Sequence, residues 1–141
     1  MVHGTISEKG KKVIIPHTIK GKDVTSYRGM FYGTSVSGVY SDNLNVTDMS
    51  YMFCGSLSTS LDLPNLDTNN VADMAAMFRY SQATSLDLSS FDTSSVTDMW
   101  DMFLSSKATK GYARTPSDAD RFNSSTCKPS GLKFIVKPSA I

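Results

Sequence analysis

The chain has 141 residues, a length typical of one domain that buries well over half of the surface exposed by its unfolded chain. Its two cysteines, Cys54 and Cys127, are too few and too far apart in sequence to predict a disulfide framework or a metal site, and whether they pair is left open. The amino-terminal residues lack the apolar core of a signal peptide, and no run of apolar residues approaches membrane-spanning length. Two alternatives follow: a cytoplasmic protein, or a piece of a longer exported protein.

The net charge of +1 conceals a separation of charge along the chain. Residues 1–28 carry six Lys and Arg against two acidic residues, and residues 105–141 carry seven against two. Residues 29–104 hold nine Asp and one basic residue, Arg79, so a net charge of −8 lies between flanks of +4 and +5. Nucleic-acid binding needs basic residues spread over the binding face, so this pattern argues against a nucleic-acid partner. Lysines that protect exposed sheet edges explain the basic flanks better than a functional basic patch does.

The first predicted element is a short β-strand at residues 11–16, where β-branched residues lead to Pro16. We assign it to an amino-terminal cap over residues 1–23. The predicted repeats occupy residues 24–110 and a carboxyl-terminal cap occupies residues 111–141, all within a single repeat domain.

Four related segments follow this strand. Val46–Phe53, Val71–Phe78 and Val96–Phe103 share the pattern Val-x-Asp-Met-x-x-Met-Phe, and Val24–Phe31 is a degenerate copy. Their starts lie 22, 25 and 25 residues apart. Such a period predicts an α/β fold, a leucine-rich-repeat-like right-handed solenoid with one parallel sheet, short helices on the other side and capping units at both ends. Repetition also argues against an enzyme, because an active site usually needs one unrepeated set of residues.

Two short segments predict the strands of that sheet. Leu61–Leu63 and Leu86–Leu88 both read Leu-Asp-Leu, an alternation that places the leucines on one face of a strand and the aspartate on the other. Since the second segment repeats the first 25 residues later, we expect the strands to pair in parallel. Asp62 and Asp87 would then lie side by side on the outer face.

The repeated pattern itself predicts a helical turn or two. Val96, Met99 and Phe103 fall on one helical face, Thr97 is a suitable N-cap, and Asp98 suits the positive end of the helix dipole. Seven of the eight methionines lie in copies of this pattern, and we expect them in the core rather than in an adaptable binding groove. They are Met30, Met49, Met52, Met74, Met77, Met99 and Met102.

The carboxyl-terminal part predicts a strand, a helix and a second strand. The first strand falls at residues 108–114, one period after Leu86. Thr115 is a good N-cap, and Pro116 fits the first position of a helix that we expect to end near Asn123. The closing strand covers residues 132–137.

The sequence of residues 86–99, Leu-Asp-Leu-Ser-Ser-Phe-Asp-Thr-Ser-Ser-Val-Thr-Asp-Met, resembles the repeat of BspA-like leucine-rich-repeat surface proteins of bacteria, a family also labelled DUF285. Residues 15–110 carry this resemblance, and residues 111–123 resemble the tail that follows such repeats. The resemblance implies a solenoid, an extracellular or cell-surface location, and a role in adhesion or host contact. It brings no catalytic residues with it.

These observations predict a non-enzymatic interaction module that binds a host or cell-surface protein or a glycan, as a monomeric module of a larger chain without a membrane span. The predicted ligand-binding residues lie on the outer face of the strands; they are Asp62, Asp87, Tyr112, Thr59 and Thr84. A merely solvated face is the alternative for each of these residues, and a structural spacer is the alternative for the whole chain.

We expect neither catalysis nor a cofactor. The only histidines, His3 and His17, lie outside the repeats, and no serine or cysteine has a recognisable base partner. The aspartate pairs lack the looped cluster of oxygen ligands that calcium requires, so no metal site is predicted.

Overall fold

The computed structural model describes the backbone of residues 5–7 and all of residues 12–138. His3 and Lys11, which carried sequence predictions, lie outside the described residues. Within these ranges no helix is long and apolar enough to cross a membrane. The elements are β1 (Thr5–Ser7), β2 (Lys12–Ile14), β3 (Thr18–Ile19), β4 (Lys22–Asp23), β5 (Gly38–Tyr40), β6 (Ser85–Leu88), β7 (Lys110–Ala113), α1 (Pro116–Asn123) and β8 (Phe134–Val136).

The predicted fold class, a solenoid with one parallel sheet and short helices opposite, is wrong. The described strands form three separate small sheets, β1-β2-β5, β3-β4 and β6-β7-β8, of which only the last is parallel throughout. The helix α1 is the one helix in the described chain, and it lies outside the repeats. The second Leu-Asp-Leu segment forms a strand, β6, which pairs in parallel with β7, whereas Leu61–Leu63 contributes only an isolated bridge between Asp62 and Gly38. The expected parallel pairing of the two segments with each other is not among the described strand pairs.

The repeated segments form β-turns where helices were expected. In the second copy the Met52 N–H donates to the Met49 carbonyl (3.3 Å), and Tyr51, between them, has a φ of +60°. Ala76 and Asp101 have φ values of +55° and +52° at the corresponding positions. A residue with positive φ at this position is typical of a type II turn and interrupts a right-handed helix, so apolar spacing that fits a helix is used here by successive turns.

Hydrogen bonds between copies explain why the turns are preferred. The Tyr51 N–H donates to the Ala75 carbonyl and the Phe53 N–H donates to the Met77 carbonyl, both at 2.9 Å, and the same ladder continues into the fourth copy. A helix would direct these groups along its own axis. In the turns they bond the equivalent segment one repeat away, so the backbone itself joins neighbouring copies.

The aspartate that recurs in the second, third and fourth copies, where it was expected to begin a helix, holds a turn instead. The carboxylates of Asp48, Asp73 and Asp98 each accept a hydrogen bond from the backbone N–H two residues later, at 2.8 to 2.9 Å. This is the Asx-turn, in which a short polar side chain holds a turn in place. Thr97 is not an N-cap, and its hydroxyl donates instead to the Ala72 carbonyl at 3.3 Å.

The predicted core residues are buried. The rings of Phe31, Phe53, Phe78 and Phe103 stack in a column with centroids 5.7 to 6.0 Å apart. Five of the seven repeat methionines are fully buried, and the other two, Met30 and Met99, are partly buried against the core. The leucines of both Leu-Asp-Leu segments also face inward.

The carboxyl-terminal helix begins and ends as predicted. Thr115 caps it by accepting a hydrogen bond from the Asp118 N–H, Pro116 is its first residue, and Asn123 is its last. The Asp118 carboxylate is buried and accepts hydrogen bonds from the N–H and the hydroxyl of Thr93, 25 residues earlier. The closing strand is shorter than predicted, and although Phe134 is buried, Val136 on the same face is exposed.

Candidate functional site

Three of the five residues predicted to bind a ligand, Asp62, Asp87 and Tyr112, lie in two short rows across neighbouring strands. Asp87 in β6 is level with Tyr112 in β7 and with Ile135 in β8. On the amino-terminal side, Asp62 is level with Gly38 in β5, which pairs with Lys12 in β2. We call these six positions the strand row: Lys12, Gly38, Asp62, Asp87, Tyr112 and Ile135.

A polar cleft of about 520 Å³ brings three of the predicted residues together. Thr59, Asp62 and Asp87 line it, with Lys12 at one side. Its remaining walls are mostly serine side chains, contributed by Ser37, Ser58 and Ser60. The cleft therefore offers hydroxyl and carboxylate groups to a polar ligand.

The other two predicted residues lie beside this cleft. The Thr84 N–H donates to the Thr59 carbonyl at 3.2 Å, so Thr84 is one step along the backbone ladder from the cleft wall. Tyr112 is partly buried next to Asp87. Neither side chain lines the cleft.

Lysines from the two ends of the chain neutralise both aspartates of the row. The Lys12 ammonium lies 3.0 Å from the Asp62 carboxylate, and the Lys137 ammonium lies 2.6 Å from that of Asp87. Burial raises the pKa of Asp87, but hydrogen bonds from Lys137 and Ser89 outweigh this effect, so the pKa lies below its usual range. Asp87 is therefore a carboxylate at neutral pH.

The separated charges of the sequence meet in the structure. Besides the two lysine pairs, the Arg114 guanidinium lies 3.2 Å from the Asp92 carboxylate. Specific contacts thus join the basic flanks to the acidic centre. The sequence-based interpretation of the flanks, protection of sheet edges, did not include this role. Water and salt screen exposed pairs of this kind, so they orient the flanks more than they stabilise the fold.

A second, apolar cleft of about 290 Å³ adjoins the first. Its apolar walls include Ile14, Tyr40 and Pro64, all exposed, and Lys12 and Asp62 line both clefts. This cleft was not predicted from the sequence. The alternation within Val13-Ile14-Ile15 was the available signal, because it directs Ile14 away from the face that buries its neighbours.

Other chemically active groups do not converge on the row. Among the described residues, no group of three or more His, Cys, Asp or Glu is arranged to hold a metal ion. Cys54 is buried and Cys127 is exposed, and both are free thiols. Burial raises the pKa of Cys54, which favours its unreactive protonated form.

The structure thus defines a repeat protein with joined turns and two adjoining clefts on its strand side. The chain belongs to the family described as Mycoplasma protein of unknown function, DUF285, whose model matches residues 25–116. No curated protein and no solved structure shows significant similarity to the chain.

Proposed function

We propose that the chain is a non-enzymatic module that binds a protein or glycan ligand at the strand row. The observation that supports this is the meeting of the apolar and polar clefts at the Lys12–Asp62 ion pair. Ligand sites commonly combine apolar walls with a few polar groups that orient the ligand. Both kinds of surface adjoin here.

The chemistry of the clefts favours a protein segment over a glycan. Tyr40, Ile14 and Pro64 offer an apolar recess for one side chain, while the adjacent serines, Thr59 and Asp62 offer hydrogen bonds to an extended backbone. Lys12 and Asp62 are each about half exposed, with side-chain exposures of 56% and 52%, so they can exchange their mutual contact for contacts with a ligand. The pair therefore works as a polar boundary between the two recesses.

The resemblance of residues 86–99 to BspA-like leucine-rich-repeat surface proteins supports a location for this binding. We propose that the module is displayed at the cell surface as a monomeric part of a larger chain, where it contacts a host or cell-surface partner. Protease digestion of intact cells of the source organism tests this location: surface display predicts that the protein is cleaved before a cytoplasmic marker is.

The binding proposal is tested by selecting ligands and then altering the clefts. Random peptides displayed on phage, and a glycan array, are screened against the folded chain. Each ligand is then titrated against Tyr40→Ala, Asp62→Asn and the matched control Trp100→Ala, which removes an aromatic ring of similar exposure in the turns. We expect the Tyr40 variant to weaken peptide binding about tenfold or more, as loss of an aromatic anchor does.

Two results would contradict the proposal. One is a set of ligands that binds the Tyr40 and Asp62 variants as well as the unaltered chain. The other is the absence of any ligand from both screens, which would favour the alternative of a structural spacer with no ligand of its own.

A further inference from the structure

The turns carry a second surface in which arginine side chains lie on tyrosine rings. The Arg28 guanidinium is 4.9 Å from the centroid of the Tyr51 ring, and the Arg79 guanidinium is 4.8 Å from that of Tyr80. Tyr32 is the third tyrosine of this surface and is 60% exposed. We call these five residues the turn patch: Arg28, Tyr32, Tyr51, Arg79 and Tyr80.

Backbone hydrogen bonds between copies bring the parts of the turn patch together. The Gly33 N–H donates to the Cys54 carbonyl at 2.9 Å, and the Gly55 N–H donates to the Arg79 carbonyl at 2.7 Å. Tyr32, Cys54 and Arg79 therefore occupy equivalent positions of three successive copies, and Arg79 also interacts electrostatically with Tyr51, which lies under Arg28. The two arginines thus share one aromatic surface.

Both arginines keep free hydrogen-bonding capacity. Arg28 donates to the Ser50 hydroxyl at 3.0 Å and Arg79 to the Tyr80 hydroxyl at 3.4 Å. Neither forms an ion pair within the described part of the chain, in contrast to Arg114, which bonds two carboxylates. A guanidinium has five N–H donors, and stacking on an aromatic ring restricts its motion before any ligand arrives.

The backbone beside Tyr80 leaves room for a ligand. In the two preceding copies the position of Tyr80 is occupied by Gly33 and Gly55, both with positive φ. A Cβ atom at Gly33 would meet no heavy atom within 4 Å, and at Gly55 only the backbone of Gly33 would lie that close. The Tyr80 ring therefore follows two equivalent positions that carry no side chain.

We infer that the turn patch binds a short acidic oligosaccharide whose sugar rings carry carboxylates. Exposed tyrosine rings offer apolar faces for the C–H groups of a sugar, and a stacked guanidinium can bind a carboxylate through two parallel hydrogen bonds. Dense polyanions are disfavoured because the turns of successive copies also carry Asp48, Asp73 and Asp98, none of which forms an ion pair within the described part of the chain. An isolated carboxylate can reach the arginines without bringing a run of negative charge near those aspartates.

Titration with three hexasaccharides tests this inference: hyaluronan, in which carboxylates are widely spaced, heparin, which is densely sulfated, and uncharged cellohexaose. We expect hyaluronan to bind more tightly than the other two, and Arg79→Gln to weaken its binding at least tenfold. Tyr32→Ala and Arg28→Gln should weaken it as well. Lys12→Gln, which removes a positive charge from the strand row, serves as the matched control and should leave the affinity unchanged.

Binding of all three sugars with equal affinity, tightest binding of heparin, or an equal loss of affinity in Lys12→Gln would overturn the inference. So would the absence of hyaluronan binding. Far-ultraviolet circular dichroism establishes that each variant is folded, and if Arg79→Gln fails to fold, the exposed Tyr32→Ala and Arg28→Gln variants decide the outcome. This site is independent of the strand row, so its failure leaves the proposed function standing.

Discussion

Phe78→Ala tests whether the column of phenylalanines holds the repeats together. Phe78 is fully buried, and its ring lies parallel to those of Phe53 and Phe103, with centroids 5.8 and 6.0 Å away. Removing a buried phenylalanine side chain costs about 3–5 kcal/mol of unfolding free energy, which combines the lost transfer energy with the cavity left behind. Phe31, at the end of the column, contacts one ring of the column at 5.7 Å and is less buried. We expect Phe31→Ala to cost about half as much, roughly 1.5–3 kcal/mol, because one face of its ring has no aromatic partner in the column.

Urea denaturation at 25 °C, followed by far-ultraviolet circular dichroism, measures both free energies. Fluorescence is a poor reporter, because the single tryptophan, Trp100, is 52% exposed. The unfolding free energy of an ordinary domain is about 5–15 kcal/mol, so Phe78→Ala can be too destabilised to fold. In that case Phe78→Leu, with an expected loss of about 1–2 kcal/mol, replaces it. Equal losses for Phe78→Ala and Phe31→Ala, within about 0.5 kcal/mol, would show that the column does not concentrate stability at its centre.

Two further predictions concern a buried carboxylate and a strained turn. Burial raises the pKa of Asp118. Hydrogen bonds from Thr115 and Thr93, together with the nearby Arg114, lower this pKa by more than burial raises it, so the folded-state pKa is below the value in the unfolded chain. The resulting stabilisation is present above the unfolded pKa of about 3.9 and is lost as pH falls through the folded pKa. The urea midpoint of Asp118→Asn should therefore decline less steeply below about pH 4 than that of the unaltered chain. Parallel declines of the two urea midpoints with pH would refute this. Ser105 is exposed and has a φ of +55°, at a position where the first two copies have glycine. Ser105→Gly should raise the unfolding free energy by about 0.5 kcal/mol, because the relief of left-handed strain exceeds the added entropy of the unfolded chain. A lower urea midpoint for Ser105→Gly than for the unaltered chain would contradict that balance.

Local signals predicted local structure well. The bounds of α1 followed from Thr115, Pro116 and the residues after them, because capping depends on groups within one turn of the helix. The inward-facing methionines and phenylalanines followed from their repetition. The conformation of the repeats did not follow, since the spacing of Val96, Met99 and Phe103 fits a helix and a series of turns equally well.

The functional surfaces depended on contacts between distant residues. Thr59, Asp62 and Asp87 were recognised from their repeated positions, and the structure places them in one cleft. Asp62 pairs with Lys12 and Asp87 pairs with Lys137. Each pair joins residues 50 positions apart, which no local pattern predicts. The tyrosines of the turn patch occupy positions that vary between copies, so repetition gave no reason to group them.

The sequence by itself determined the number and spacing of the repeats, their buried side chains and the carboxyl-terminal helix, because these depend on apolar periodicity and on capping within a few residues. Only the tertiary structure decided that the repeats are turns. Their backbone N–H groups can bond within a helix or across to the next copy, and the choice depends on whether equivalent carbonyls, such as that of Ala75 for Tyr51, lie within reach. The same juxtaposition of copies brings Arg28 and Arg79 onto one aromatic surface and completes the clefts of the strand row.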